Sequence, residues 1–278
     1  MADKFLIYKS SGGLAHSLGG LWRAINVAKN VKRFLIIDFR AHKAFNNNFS
    51  EFFIIKDNLK YSDTYDMIPP DYTYKNLTID DMKKGTLKII DRGYTILGNR
   101  ISKNLKENEN IQFVAGTSGK KGRVFIKGLR VQPNIMDKLK KEKLIQGKYI
   151  AVHYRNTDLK NNLNRKVEVL KYLCKHTNIN TVFLASDDYY ALKNFKRELP
   201  KINFIRYTIP EKDVHNIHYF SKDKWKQVYE CIRDIYMILQ ANFFVPSENS
   251  GLSRMIMQMI LQKENMFDLP QKTVTISV

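Results

Sequence analysis

Short uninterrupted apolar runs alternate along this chain with longer stretches in which apolar residues recur every three or four positions. "KFLIYKS" (4–10) and "RFLIIDF" (33–39) read as strands, and between them "AHSLGGLWRAINVAKN" (15–30) sets Leu18, Leu21, Trp22, Ile25 and Ala28 at helical spacing. Strand, glycine-containing turn, helix and strand make a βαβ unit, which implies a parallel sheet. From about Ile54 to Asn110 the periodicity dissolves into polar, aromatic and lysine-rich segments such as "DNLKYSDTYDMIPPDYTYKN", expected to be loops and irregular elements. "IQFVAG" (111–116) is a further strand, and "TSGKKGRVFIKG" (117–128) a basic, glycine-rich loop. Beyond Pro133, "NIMDKLKKEKLIQGK" predicts an amphipathic helix stopped by Gly147. Regular alternation then follows: strand 149–154, helix 166–177, strand 181–187, helix 189–199, strand 202–208, helix 223–241, strand 242–247, helix 251–262. Consecutive βα repeats of this kind predict a second doubly wound domain. No repeat of fixed period is visible, which argues against a solenoid.

With 278 residues, 44% of them hydrophobic, the chain can build two globular domains, each with its own core. Lys and Arg number 47 against 27 Asp and Glu, a net charge of +20 that favours polyanions or phosphates, or else reflects a lysine-rich solvated surface. Only Cys174 and Cys231 occur, so neither a disulfide framework nor a cysteine zinc site is available, and both fall in helical patterns as small buried residues. The apolar run near the N-terminus is four residues long and no window reaches the 18 or so needed for a span, so a soluble, cytoplasmic chain is expected.

Ligands of doubly wound sheets gather beyond the carboxyl ends of the strands. There the chain concentrates its polar residues. The strand from 149 delivers His153, Arg155 and Asp158; the strand from 181 delivers Ser186, Asp187 and Asp188; the strand from 242 delivers Ser247, Glu248, Asn249 and Ser250, the last opening a helix. Each also has a plain structural reading: a surface arginine, a satisfied core histidine, an acidic helix start, a serine cap. Together they describe an anion site, because free amides at a helix N-terminus and a guanidinium fork suit phosphate oxygens. The first βα turn, with Gly12 and Gly13, matches neither the dinucleotide fingerprint nor the phosphate-binding loop of nucleotidases, so a nicotinamide enzyme or an ATPase is not supported.

The ordered blocks "GGLAHSLGGLWRAINVAKNVKRFLIIDFR", "VHYRNTD", "VFLASDD" and "IRDIYMILQANFFVPSENSGLSRMIMQMI" resemble the α1,6-fucosyltransferases and the nodulation-factor fucosyltransferases, with the protein O-fucosyltransferases more distant. The resemblance implies an α/β protein of GT-B class, two Rossmann-like domains facing across a cleft, with 1–132 on the acceptor side and 133–278 binding a nucleotide-sugar donor. It implies inverting transfer of L-fucose from GDP-fucose to a glycan hydroxyl, with no cofactor and no metal ion. By match of motif, Arg155 would neutralise the β-phosphate, His153 and Asp234 would recognise guanine, and Ser250 with the amide of Gly251 would hold the phosphates. Gly12 and Gly13 would form the turn by which the N-terminal domain touches the donor. Where the α1,6 enzymes carry a proposed basic glutamate this chain has Leu163, so Asp158, Glu168 and His16 are the candidates for taking the acceptor proton. The absence of the family's membrane anchor and stem suggests a soluble bacterial-type or viral-type enzyme. Two other readings stand beside this one: the same fold using another nucleotide sugar, and a basic nucleic-acid-binding protein, which the scattered placement of the lysines disfavours.

Overall fold

The computed structural model describes residues 4–9, 13–40, 45–66, 94–97, 111–115, 127–156, 162–210, 212, 222–270 and 272–276, with backbone alone for 94–97 and 111–115. The chain divides into two compact units, Met1–Gln132 and Pro133–Val278.

In the first unit a parallel sheet is built from β1 (Phe5–Lys9), β2 (Phe34–Asp38), β4 (Tyr61–Ser62), β5 (Tyr94–Leu97) and β6 (Ile111–Ala115), in the order β4-β2-β1-β6-β5. β1 is buried along its whole length, as a continuous apolar run in a central parallel strand should be. Helix α1 (Leu14–Asn30) connects β1 to β2, and its buried face includes Leu18, Leu21, Ala24, Ile25 and Ala28. A separate antiparallel pair joins β3 (Phe53–Ile55) to β7 (Leu129–Val131). Gly128 sits at φ +81 beside it, where an added Cβ would lie 2.7 Å from the Lys56 carbonyl oxygen. Phe39, Phe45 and Phe49 are edge-to-face neighbours, with Phe39 4.5 Å from Phe45 and 5.4 Å from Phe49. At the carboxyl end of the sheet Lys9 and Asp38, paired in register, form a buried ion pair at 2.9 Å, and the Tyr65 hydroxyl donates to the same carboxylate. The expectation of irregular structure from 54 to 110 needs correction: β4 and β5 both lie in that stretch, and both are strands of the sheet. Most of the glycine-rich 117–128 segment lies outside the described residues.

The second unit has five parallel strands in the order β10-β9-β8-β11-β12, namely β8 (Ile150–Tyr154), β9 (Thr181–Ser186), β10 (Asn203–Ile205), β11 (Phe243–Val245) and β12 (Val274–Thr275). Its helices are α2 (Pro133–Lys141), α3 (Leu163–Thr177), α4 (Ala191–Glu198), α5 (Lys224–Gln240) and α6 (Gly251–Gln262). Ile150, Val152, Leu170, Leu184 and Phe195 pack into one core, where a fully buried side chain of this size contributes about 1.5–3 kcal/mol. The chain runs outward from β8 through β9 to β10, then returns to the other side of β8 as β11. The gap between β8 and β11 is therefore the topological switch point, where the carboxyl ends of a parallel sheet leave a crevice.

Two boundaries differ from the sequence reading. α3 starts at Leu163 rather than 166, because the Asn162 side chain accepts the Arg165 amide and caps it. α2 ends at Lys141, well before Gly147: the next residue, Glu142, accepts hydrogen bonds from Tyr229 and Arg233 of α5, and Gly147 instead supplies a φ of +84 shortly before β8.

Candidate functional site

Both strands that flank the switch point of the second unit end in polar residues, and hydrogen bonds tie those ends together. His153 is buried near the end of β8, and its Nδ1 lies 2.7 Å from Ser253 Oγ on α6. That hydroxyl oxygen also accepts the Ser247 amide at 2.8 Å, and Ser247 Oγ in turn accepts the Arg155 amide at 3.1 Å. Ser250 caps α6, its side chain accepting from the Ser253 amide, while Asn249 before it adopts the left-handed conformation (φ 58) that asparagine tolerates. Burial, reinforced by the Arg155 and Lys166 charges, pushes the His153 pKa down to about 3, so the ring is neutral. Of the two neutral tautomers, the one that gives the Ser253 hydroxyl proton an acceptor has it donate to Nδ1 and leaves the ring proton on Nε2. His153 is then a fixed neutral donor.

The β9 exit supports the same edge. Asp187 accepts the Asn156 amide at 2.9 Å and lies 3.8 Å from Arg155 Nε, while Asp188 accepts from the Asn156 side chain at 3.0 Å. Asp188 also accepts the Tyr190 amide, so it orders the turn before α4 without being that helix's cap. Arg206, beyond β10, donates to the Ser186 and Thr208 carbonyls, both at 2.8 Å. Thr208 donates to Asp234 of α5 at 3.0 Å. Burial pushes the Asp234 carboxyl up to about 7 against the pull of Arg233, Thr208 and Arg206, and Glu230 adds to the rise. Cys231, one turn earlier on α5, feels the charges of both Asp234 and Arg155.

His153, Arg155, Ser250, Gly251 and Asp234 thus all belong to the carboxyl edge of the second unit. Gly12 and Asp158 lie outside the described residues. Gly13 is the N-cap of α1, and His16, partly buried, donates its amide to the Gly13 carbonyl at 3.0 Å, both in the first unit. Glu168 is exposed on α3, about 200° around the helix from buried Lys166. Among the described residues no three His, Cys, Asp or Glu side chains converge in a way that could hold a metal ion. Sequence reasoning missed Ser253, Arg206 and Lys166. Lys166 did leave a trace: with Leu170, Leu173 and Cys174 it falls on the core-facing stripe of α3.

No protein-family model and no curated protein matches the sequence. Solved structures match it over nearly its whole length. The NodZ alpha-1,6-fucosyltransferase soaked with GDP-fucose is 14% identical, with a TM-score of 0.54 over 91% of this chain and 91% of that one. The fucosyltransferase NodZ from Bradyrhizobium is 15% identical, with a TM-score of 0.52 over 92% of each chain. POFUT1 in complex with GDP-fucose is 11% identical, with a TM-score of 0.62 over 100% of this chain and 99% of that one. The two Rossmann-like units therefore carry the GT-B fold of these fucosyltransferases.

Proposed function

We propose that the protein transfers L-fucose from GDP-fucose to a glycan hydroxyl, with inversion and without a metal ion. The observation that carries this reading is the set of groups at the β8–β11 switch point: a neutral buried histidine, an arginine and a capped helix N-terminus, with a buried carboxylate on the neighbouring helix. Guanine presents acceptors at O6 and N7 and donors at N1 and N2. The His153 Nε2–H matches the former and ionised Asp234 the latter. Adenine, which presents a donor where guanine has O6, fits this pair poorly. Arg155 and the amides that open α6 suit the two phosphates.

In the reaction, the acceptor oxygen attacks C1 of fucose as the bond from C1 to the β-phosphate oxygen breaks. Negative charge gathers on the diphosphate, where Arg155 and the amides following Ser250 stabilise it. The acceptor hydroxyl loses its proton in this step, and Asp158 of the β8–α3 connection and His16 of the first unit are the candidate bases. Glu168, the third candidate, is exposed on α3. The solved structures of the same fold that hold GDP-fucose support this choice of donor over another nucleotide sugar.

A thermal-shift series tests it. A ligand at a hundred times its Kd stabilises the folded state by about 2.7 kcal/mol, so GDP should raise the melting temperature more than UDP, ADP or CDP at equal concentration. A larger shift with UDP removes fucose from the account and favours the other nucleotide-sugar reading. Turnover with GDP-fucose should survive EDTA; activity lost to EDTA and restored by manganese contradicts metal independence.

A further inference from the structure

Lys166 is 1% exposed, and among the described residues it forms no ion pair. Its ammonium carries three N–H donors, yet among the described residues its one hydrogen-bond partner is the Pro246 carbonyl, at the exit of β11. Glu248, whose charge reaches it, is half exposed and pairs instead with Arg165 at 3.3 Å. A buried charge without a counter-ion is costly, and an apolar residue in the same stripe of α3 would be the more stable choice. The position shows what the charge serves. Pro246 precedes Ser247, whose amide reaches Ser253 and through it His153, and whose hydroxyl holds the Arg155 amide.

We propose that Lys166 is a positioning residue for the diphosphate: it fastens the Pro246–Ser250 turn from its buried side and supplies a positive charge that becomes balanced only when the anion binds. The proposal rests on the phosphate site described above, and it adds a second cation to Arg155. Burial already pushes the Lys166 pKa down to about 8 in the ligand-free protein, against the upward pull of Glu248 and with Arg165 adding to the fall. Arg155, on the β8 side, stays charged, and His153 is neutral throughout this range. A bound diphosphate favours the protonated ammonium. Binding should therefore take up protons near pH 8 and weaken as Lys166 deprotonates.

The test is calorimetric binding of inorganic pyrophosphate, GDP and guanosine to wild type, Lys166→Met, Lys166→Arg and Arg155→Ala, with melting temperatures measured in parallel. In Lys166→Met the lost hydrogen bond to Pro246 and the removal of an unbalanced buried charge oppose each other, so the melting temperature should stay near that of wild type, while pyrophosphate and GDP bind about tenfold or more weakly, as loss of a charged partner implies, and guanosine is little affected. The ratio of wild-type to Met affinity should narrow from pH 7 to pH 9. Lys166→Arg should keep part of the affinity. If Arg155→Ala weakens pyrophosphate binding but Lys166→Met does not, the role given to Lys166 is wrong and the phosphate site stands. A Met variant that fails to fold, or that melts far lower while binding pyrophosphate as wild type does, marks a structural lysine and overturns the proposal. Pyrophosphate binding that is indifferent to Arg155→Ala removes the phosphate site and the proposal with it.

Discussion

At Arg155 charge and geometry can be separated by substitution. A guanidinium that meets charge developing on the leaving phosphate matters more in the transition state than in the ground state. Arg155→Ala should therefore lower kcat by about 10²- to 10³-fold, the typical loss for such a donor. Arg155→Lys should be nearly as damaging, because an ammonium lacks the planar fork. Either variant retaining more than about a tenth of wild-type turnover, with folding intact, ends the phosphate role. Asp234 makes a pH-dependent claim. Its folded pKa, about 7, lies above the unfolded carboxylate value near 3.9, so its stabilising preference is complete below the unfolded value and lost as pH rises through about 7. Guanine N–H groups need the ionised form. GDP affinity should therefore rise between about pH 6 and pH 8 with proton release, since burial holds the free carboxyl protonated up to about 7. Asp234→Asn should bind GDP more weakly and show a flatter profile; titration calorimetry in two buffers measures the proton count, and a count that the substitution leaves unchanged would sink the assignment.

The elements that were legible in the sequence are those with local reasons to exist. The run 150–154 is apolar enough to be a central strand, and Ser250 followed by Gly251 and a periodic apolar stripe marks α6. What escaped was set by distant partners. β4 and β12 are two residues long and β5 four, too short for alternation to show, and each is a strand because a neighbour pairs with it. Glu142, unremarkable in a lysine-rich stretch, leaves the helical run through contacts to α5 nearly ninety residues away. The polar ends of β8 and β11 could be read along the chain, but the hydroxyl that joins them could not, since Ser253 looks like any small residue in the first turn of a helix. Its removal is accordingly informative about the α6 start as a unit. Ser253→Ala leaves the Ser247 amide and His153 Nδ1 without their shared partner, at about 1–3 kcal/mol for each buried group left unpaired. The melting temperature should fall by several degrees and GDP affinity should drop with it. Ser250→Ala, which removes the cap of α6, should cost about 1 kcal/mol of stability. Equal effects from the two serines would mean that Ser253 does not join the strands.

Taken whole, the molecule carries a charge of +20, and the question at this scale is whether that charge is the function or its surroundings. The solvent-facing sides of α2, α3 and α4 carry Lys138, Lys140, Lys141, Lys171, Lys175, Lys193 and Lys196, all exposed, whereas Lys166 and Lys9 are buried at strand exits. Spread over helix exteriors, surface lysines attract any polyanion weakly and without a fixed register. Such binding releases counterions and falls by about 10³- to 10⁵-fold between roughly 50 and 200 mM salt when six to ten phosphates are contacted. A diphosphate held by Arg155 and helix amides in a partly buried site has few charges to screen and keeps most of its affinity. Single-stranded oligonucleotide binding should therefore vanish over that salt range, be unaffected by Arg155→Ala and not be displaced by GDP, while GDP binding persists. Fluorescence anisotropy of a labelled oligonucleotide, with GDP as competitor and the Arg155 variant as control, measures all three. Oligonucleotide binding that survives about 200 mM salt and is lost in Arg155→Ala would place nucleic acid in the site itself, and the glycosyl-transfer reading would give way to the alternative that the charge first suggested.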